Sequence, residues 1–220
     1  MSLFRLDASI RDEGSHSRAL ADIAQATWRE ANPGVEVVRR DIGLHPLAST
    51  LWPLAVAASR LPESDRGDAQ RDAVREAAAL ADEVLSADSL LFAIPLYNYG
   101  VSQHFKTWVD VMITEQPRLV PSLKGKRAVA VLVRGGAYGA GTPREGWDHS
   151  TGWVKRILVD VWSLDLQTVE LEFTLVGVNP ALDEFKDLAE EMRVTAKREA
   201  EEIGRHLVAE PSLTEVNDLA

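Results

Sequence analysis

Leu90-Leu91-Phe92-Ala93-Ile94-Pro95-Leu96-Tyr97-Asn98-Tyr99-Gly100 is the stretch that decides the fold. Its apolar first half predicts a buried strand over Ser89–Ile94. Its second half, Pro95, two tyrosines around Asn98, and Gly100, predicts a rigid loop at the strand's carboxyl end. Open α/β sheets bind ligands at that edge. Taken alone, the loop supports two readings equally. It is a packed strand-to-helix corner, with Tyr97 and Tyr99 as core or rim aromatics, or it is one wall of a site offering a flat ligand stacking faces, amides and an Asn side chain.

Working outward, further strands are expected over residues 2–8, 35–42, 127–133 and 167–175. A helix after the first strand carries Ala19, Leu20, Ile23, Ala24 and Trp28 at helical spacing and stops at Asn32-Pro33-Gly34. Other helices are expected over 66–86, 101–114, 147–164 and 182–207. Residues 43–64 contain Pro46, Pro53 and Pro62 and read as irregular, but Leu51, Trp52, Leu54 and Val56 imply that they pack on something. Five strands alternating with five helices predict a doubly wound, five-stranded parallel sheet covered on both faces. One domain is expected over residues 1–210, followed by a polar tail over 211–220.

A chain of 220 residues that is 45% hydrophobic suits one such core. The formal charge of -10 disfavours nucleic acid and anionic lipid as partners. The absence of cysteine excludes disulfides, thiolate catalysis and Cys-ligated metal centres. No run approaches the roughly 18 apolar residues of a membrane span, and Met1–Asp7 has no apolar signal region. The expectation is a soluble cytoplasmic protein. His16, His45, His104, His149 and His206 show no ligand spacing, so no metal is expected. The lack of a Gly-x-Ser-x-Gly elbow argues against a hydrolase of that type.

The loops after predicted strands 1, 3 and 4 share one sheet edge. The first, Ser9 to Ser17, offers hydroxyls and free amides at a helix N-terminus, which suit an anion. The alternative is that Ser15 or Ser17 is simply an N-cap. Asp12 and Glu13 argue against a large polyphosphate there, whereas a single phosphate monoester is compatible. Neither a dinucleotide fingerprint nor a Walker loop is present. The third loop, Arg134 to Gly141, has four glycines in eight residues, which let the backbone approach a ligand closely; the alternative is a loose surface loop. Together the loops suit a mononucleotide with a large planar head, of which flavin mononucleotide (FMN) is the obvious member.

Four pieces then carry a family resemblance: Ser9 with Ser15-His16-Ser17, Pro95-Leu96-Tyr97-Asn98-Tyr99, Lys106-Thr107-Trp108-Val109-Asp110, and Gly125-Lys126-Arg127 ahead of Val133-Arg134-Gly135-Gly136. In order and spacing the chain resembles the FMN-dependent NADH-azoreductase / NADH:quinone oxidoreductase family over about residues 2–208. The resemblance implies a flavodoxin-like fold with strand order 2-1-3-4-5. It implies FMN as cofactor, NADH or NADPH as donor, a quinone or azo compound as acceptor, and a homodimer. It also implies that Ser9, Ser15, His16 and Ser17 hold the phosphate. Pro95, Leu96, Tyr97, Asn98 and Tyr99 would line the ring and ribityl chain, and Val133, Arg134, Gly135 and Gly136 would cover the pyrimidine side. Asn98 and Tyr138 are the candidates for tuning the flavin, Asn98 through its amide or its main chain. Three departures stand out: Val133 where Ser is frequent, Ser102 where Pro is common, and a flap, Glu115 to Ser122, that is shorter than usual. An electron carrier of the same fold, or a binding module that has lost the flavin, are the competing classes.

Overall fold

The structure, a computed structural model, describes residues 1–142 and 144–208. The tail expected over 211–220 lies outside the described residues. The decisive stretch forms β3 (Ser89–Tyr97), which runs through the middle of the sheet between β1 (Leu3–Asp7) and β5 (Arg127–Val133). Outside these lie β2 (Val37–Asp41) and β6 (Asp165–Leu171). The five parallel strands are ordered β2-β1-β3-β5-β6, which is the expected 2-1-3-4-5. The two-residue β4 (Gly100–Val101) pairs antiparallel with the end of β3 and is an addition to the expected set.

The alternation along β3 and β5 explains their uninterrupted apolar sequences. Leu90, Phe92 and Ile94, with Ala128, Ala130 and Leu132, face one core; Leu91 and Ala93, with Val129, Val131 and Val133, face the other. A parallel sheet covered on both sides needs this continuous pattern. The first core is closed by α3 (Asp68–Leu85), α4 (Gln103–Ile113) and α6 (Thr151–Lys155), with Trp108 and Trp162 fully buried. The second is closed by α1 (His16–Ala31) and α7 (Lys186–Gly204).

Several expectations are corrected. Residues 43–64 are not wholly irregular, because α2 (Leu51–Ala58) forms there. Leu51 is buried, but Trp52 is 45% exposed. The helix expected over 147–164 begins only at Thr151, where the Asp148 carboxylate accepts the Ser150 and Thr151 amides at 2.8 Å each. It continues as a π-helical turn, Arg156–Val161, which sets Trp162 edge-on against Trp108 at 5.7 Å. The strand expected to reach residue 175 ends at Leu171. The short flap segment is a helix, α5 (Gln116–Leu123).

Candidate functional site

At the carboxyl edge of β1, β3 and β5 lies a cleft of about 340 Å³. Its first wall comes from the loop after β1. Ser15 caps α1, its Oγ accepting from the Arg18 amide at 3.4 Å and lying 3.3 Å from Ser17 Oγ. The N-cap reading of Ser15 therefore holds, and the same residue lines the cleft with Ser9, His16 and Ser17. The first amides of a helix have no intrahelical acceptor, so this end can donate to an anion. Asp12 and Glu13 are exposed and contribute nothing to the lining. Burial first, then the charges of Arg193, Arg11 and Lys197, hold His16 below its ordinary pKa.

Arg18 fixes the shape of this loop. Its guanidinium donates to the Arg11 and Ser9 carbonyls, both at 2.8 Å, and pairs with both Asp41 carboxylate oxygens at 2.6 and 2.9 Å. Burial opposes the charge on Asp41, but bonds from Arg18 and the Leu44 amide outweigh it and keep the carboxyl below its usual range. Gly43 lies directly behind Ser9, where a Cβ would run into the Ser9 carbonyl. Sequence reasoning missed both residues, since an arginine in the first turn of a helix reads as a solvated position and Gly43 as an ordinary loop glycine.

The middle wall is the turn between β3 and β4. Tyr97 pairs with Gly100 and Leu96 with Val101, so Asn98 and Tyr99 form a two-residue hairpin loop. The type I′ form of such a loop needs positive φ at both central positions, and these residues have φ of 49° and 67°. Asn tolerates that region; a bulky Tyr does so only when its surroundings hold it. Here the Tyr99 ring lies edge-on to Tyr138 at 5.9 Å and to Trp147 at 5.2 Å, and its carbonyl accepts the His149 amide at 2.9 Å. Tyr97 Oη accepts the Ile10 amide at 3.1 Å and lies 3.4 Å from Ser9 Oγ, joining the two walls. Ser102, the departure from a family Pro, donates to the Ala8 carbonyl at 3.3 Å and ties the start of α4 to the same loop.

The third wall follows β5. Val133, Gly135 and Tyr138 line the cleft, but Arg134 and Gly136 do not. The Arg134 side chain is buried on the far side. It meets Asp148 at 2.8 Å, Glu172 at 3.0 Å and Glu170, and donates to Thr151 Oγ1 at 3.0 Å. Its role is to hold the loop. Glu172 also accepts the Tyr138 amide at 3.1 Å. Burial disfavours charge on Asp148 and Glu170, yet their hydrogen bonds to Thr151 and Ser150, and to Lys155 and Arg134, hold both carboxyls low. A Cβ on Gly135 would lie 2.7 Å from Leu175 Cδ1, so the Leu175 side chain would have to shift to admit one.

Five lining residues were not singled out from sequence: Arg11, Gly14, Arg144, Thr174 and Leu175. Thr174 and Leu175 were hidden inside a strand expected to be longer. In fact they leave the sheet and bond back to the Arg134 and Gly135 carbonyls at 3.2 and 3.1 Å. Arg11 and Gly14 lay in a loop whose serines drew the reading.

The description of a flavodoxin-like fold matches residues 1–195. A Frankia alni protein named FMN-dependent NADH:quinone oxidoreductase is 38% identical over 201 residues, spanning 89% of this chain and 95% of its own. The chain belongs to the FMN-dependent NADH:quinone oxidoreductase family. Solved structures agree on the fold. An azoreductase from Bacillus anthracis str. Sterne superimposes with a TM-score of 0.73 at 21% identity, covering 93% of this chain and 98% of its own. An FMN-dependent NADH-azoreductase from Bacillus anthracis str. Ames Ancestor, solved in complex with FMN, gives 0.64 at 14% identity, with 91% and 100% covered. In this member of the NADH:quinone oxidoreductase family, the three walls come from three consecutive central strands, and buried Arg18 and Arg134 support the outer two.

Proposed function

We propose that the cleft binds FMN and that the protein passes electrons from NADH or NADPH to quinones or azo compounds in a ping-pong order. The observation that carries this reading is the cleft's arrangement. A hydroxyl-lined helix N-terminus is at one end, and a hairpin of Tyr97, Asn98 and Tyr99 faces Gly135 and Tyr138 at the other.

The residues fit FMN on chemical grounds. Ser9, Ser15 and Ser17 supply neutral donors and α1 supplies amides, while the loop's carboxylates stay outside, which suits one phosphate monoester. Leu96, Tyr97 and Asn98 line the cleft beside Pro95 and Val133 and offer a ring apolar and amide contacts. When bound, FMN supplies the redox chemistry, accepting a hydride from the nicotinamide and returning two electrons to the acceptor. The protein then has to bind, orient and exclude water. Gly135 and Tyr138 line the cleft, and the amide of one and the hydroxyl of the other would serve as donors for charge growing on a ring carbonyl. No acid, base or nucleophile is required from the chain, so Asn98 acts by orienting the ring.

A homodimer is part of the reading. It draws support from an exposed apolar groove where Trp52 and Val56 of α2 meet Ile113, Val120 and Pro121. Light scattering should give twice the chain mass for wild type and a lower mass for Trp52→Glu; a monomeric wild type contradicts this part. No helix among the described residues is long and apolar enough to cross a membrane, and a cytoplasmic location completes the reading.

The test is an absorbance spectrum followed by anaerobic NADH and then benzoquinone. A flavin band that bleaches with NADH and returns with quinone is expected. Colourless protein that takes up no FMN contradicts the proposal.

A further inference from the structure

In a chain of net charge -10, two arginines line the cleft, Arg11 and Arg144. Among the described residues neither guanidinium pairs with a carboxylate. The acids nearest in sequence to Arg144 are engaged elsewhere. Asp148 faces Arg134, and Glu145 accepts the Gly141 amide at 2.9 Å. Instead, the Arg144 guanidinium carbon lies 5.9 Å from the ring centroids of both Tyr99 and Trp147. Two aromatic faces thus hold a cation at the cleft without neutralising it.

The two arginines serve different ends. Arg11 belongs to the serine loop, where the phosphate of FMN would sit. Arg144 belongs to the loop after β5 and packs on the hairpin, at the ring end. The oxidised flavin ring is neutral, and charge that grows on it during reduction affects anionic and neutral substrates alike, so the ring does not account for a preference between them. We infer that Arg144 is a specificity-determining residue that receives an anionic group, a phosphate, sulfonate or carboxylate, carried by the substrate that shares the cleft with the ring. This rests on the flavin reading above. A guanidinium forms bidentate, charge-assisted bonds to all three groups. The anion has two sources: the phosphates of the dinucleotide donor, or an acidic substituent on a planar acceptor.

The test uses the FMN-loaded protein, with Arg144→Gln and Arg144→Lys beside wild type, in anaerobic stopped flow. One arm compares reduction by NADH with reduction by 1-benzyl-1,4-dihydronicotinamide, which has no phosphate. The other compares reoxidation by 1,4-naphthoquinone-2-sulfonate with reoxidation by neutral 2-methyl-1,4-naphthoquinone. Calorimetry of unreactive naphthalene-2-sulfonate gives a binding readout separate from turnover. The quantity read is the ratio of anionic to neutral substrate. It should fall roughly tenfold in Arg144→Gln, the equivalent of about 1.4 kcal/mol, and recover in part in Arg144→Lys. Raising salt to about 0.5 M should shrink the wild-type ratio more than that of Arg144→Gln, because the screened attraction to Arg144 is present only in wild type. A change in the first arm alone assigns the anion to the donor, and a change in the second alone to the acceptor; both support the inference. Ratios unmoved in both arms, or an equal salt response in wild type and Arg144→Gln, overturn it while leaving the flavin reading intact. FMN affinity lost by more than tenfold in Arg144→Gln also overturns it, since Arg144 would then hold the cofactor. Wild-type protein that takes up no FMN removes both.

Discussion

The loop after β1 and the loop after β5 each rest on a buried arginine that faces away from the cleft, yet they present different chemistry to it. Arg18 and Arg134 have side chains only 6% and 8% exposed, and each spans carboxylates and backbone or hydroxyl acceptors. The β1 loop then offers hydroxyls and a helix end, directed donors that suit a compact anion. The β5 loop offers the Gly135 backbone and the Tyr138 ring, which packs against Tyr99 of the hairpin and suits a flat surface. Under the proposed flavin reading, the two loops divide one ligand between them. Rigid ionic scaffolding behind each loop is shared, and only the face turned to the cleft differs.

The largest expected effect comes from breaking the scaffold after β5. Arg134→Gln leaves Asp148, Glu170 and Glu172 facing one another. It should lower the free energy of unfolding in urea by about 3 kcal/mol, the scale of a broken buried ion pair. It should also weaken FMN and riboflavin binding together, because riboflavin lacks only the phosphate. Arg18→Gln should cost about 2–3 kcal/mol by the same reasoning, but it should weaken FMN much more than riboflavin. If the two variants show the same preference, the division between the loops is wrong. Gly43→Ala should follow the Arg18 pattern with a comparable loss of stability, since its Cβ would run into the Ser9 carbonyl oxygen and the backbone must move. Tyr97→Phe removes the bond from the Ile10 amide and should cost about 1 kcal/mol.

The smallest effect concerns pH. His16 has a folded pKa below its ordinary value, so the folded state binds its proton less readily than the unfolded chain does. Its contribution is complete above pH 6.5 and is lost as pH falls from there through the folded value. Thermal unfolding of the FMN-free protein should show wild type losing stability faster than His16→Gln between neutral pH and that lower value.

Much of this was legible in the sequence because parallel strands buried on both faces announce themselves. Leu90 to Ile94 and Ala128 to Val133 could hardly sit elsewhere, and turn chemistry placed the loops between them. The cleft was legible as three loops on one edge. What could not be read was the direction of side chains. Arg134 sits between the cleft-lining Val133 and Gly135 and yet points to Asp148 and Glu172, because the alternation along an extended segment turns successive residues to opposite sides. Arg18 and Arg144 were invisible for the converse reason: their partners, Asp41 and the Tyr99 and Trp147 rings, are distant in sequence or lie on an irregular loop. The hairpin at Asn98 and Tyr99 escaped as well, since its positive φ values are imposed by Tyr138 and Trp147 rather than by a glycine at the turn.

The most direct test of the central claim is calorimetric titration of FMN-free protein with FMN and with riboflavin under identical conditions. Two charge-assisted bonds to a phosphate, at about 1.5 kcal/mol or more each, predict that FMN binds at least roughly a hundredfold more tightly, and that Ser17→Ala narrows the gap. Equal affinity for the two ligands, or no uptake of either, would contradict the account.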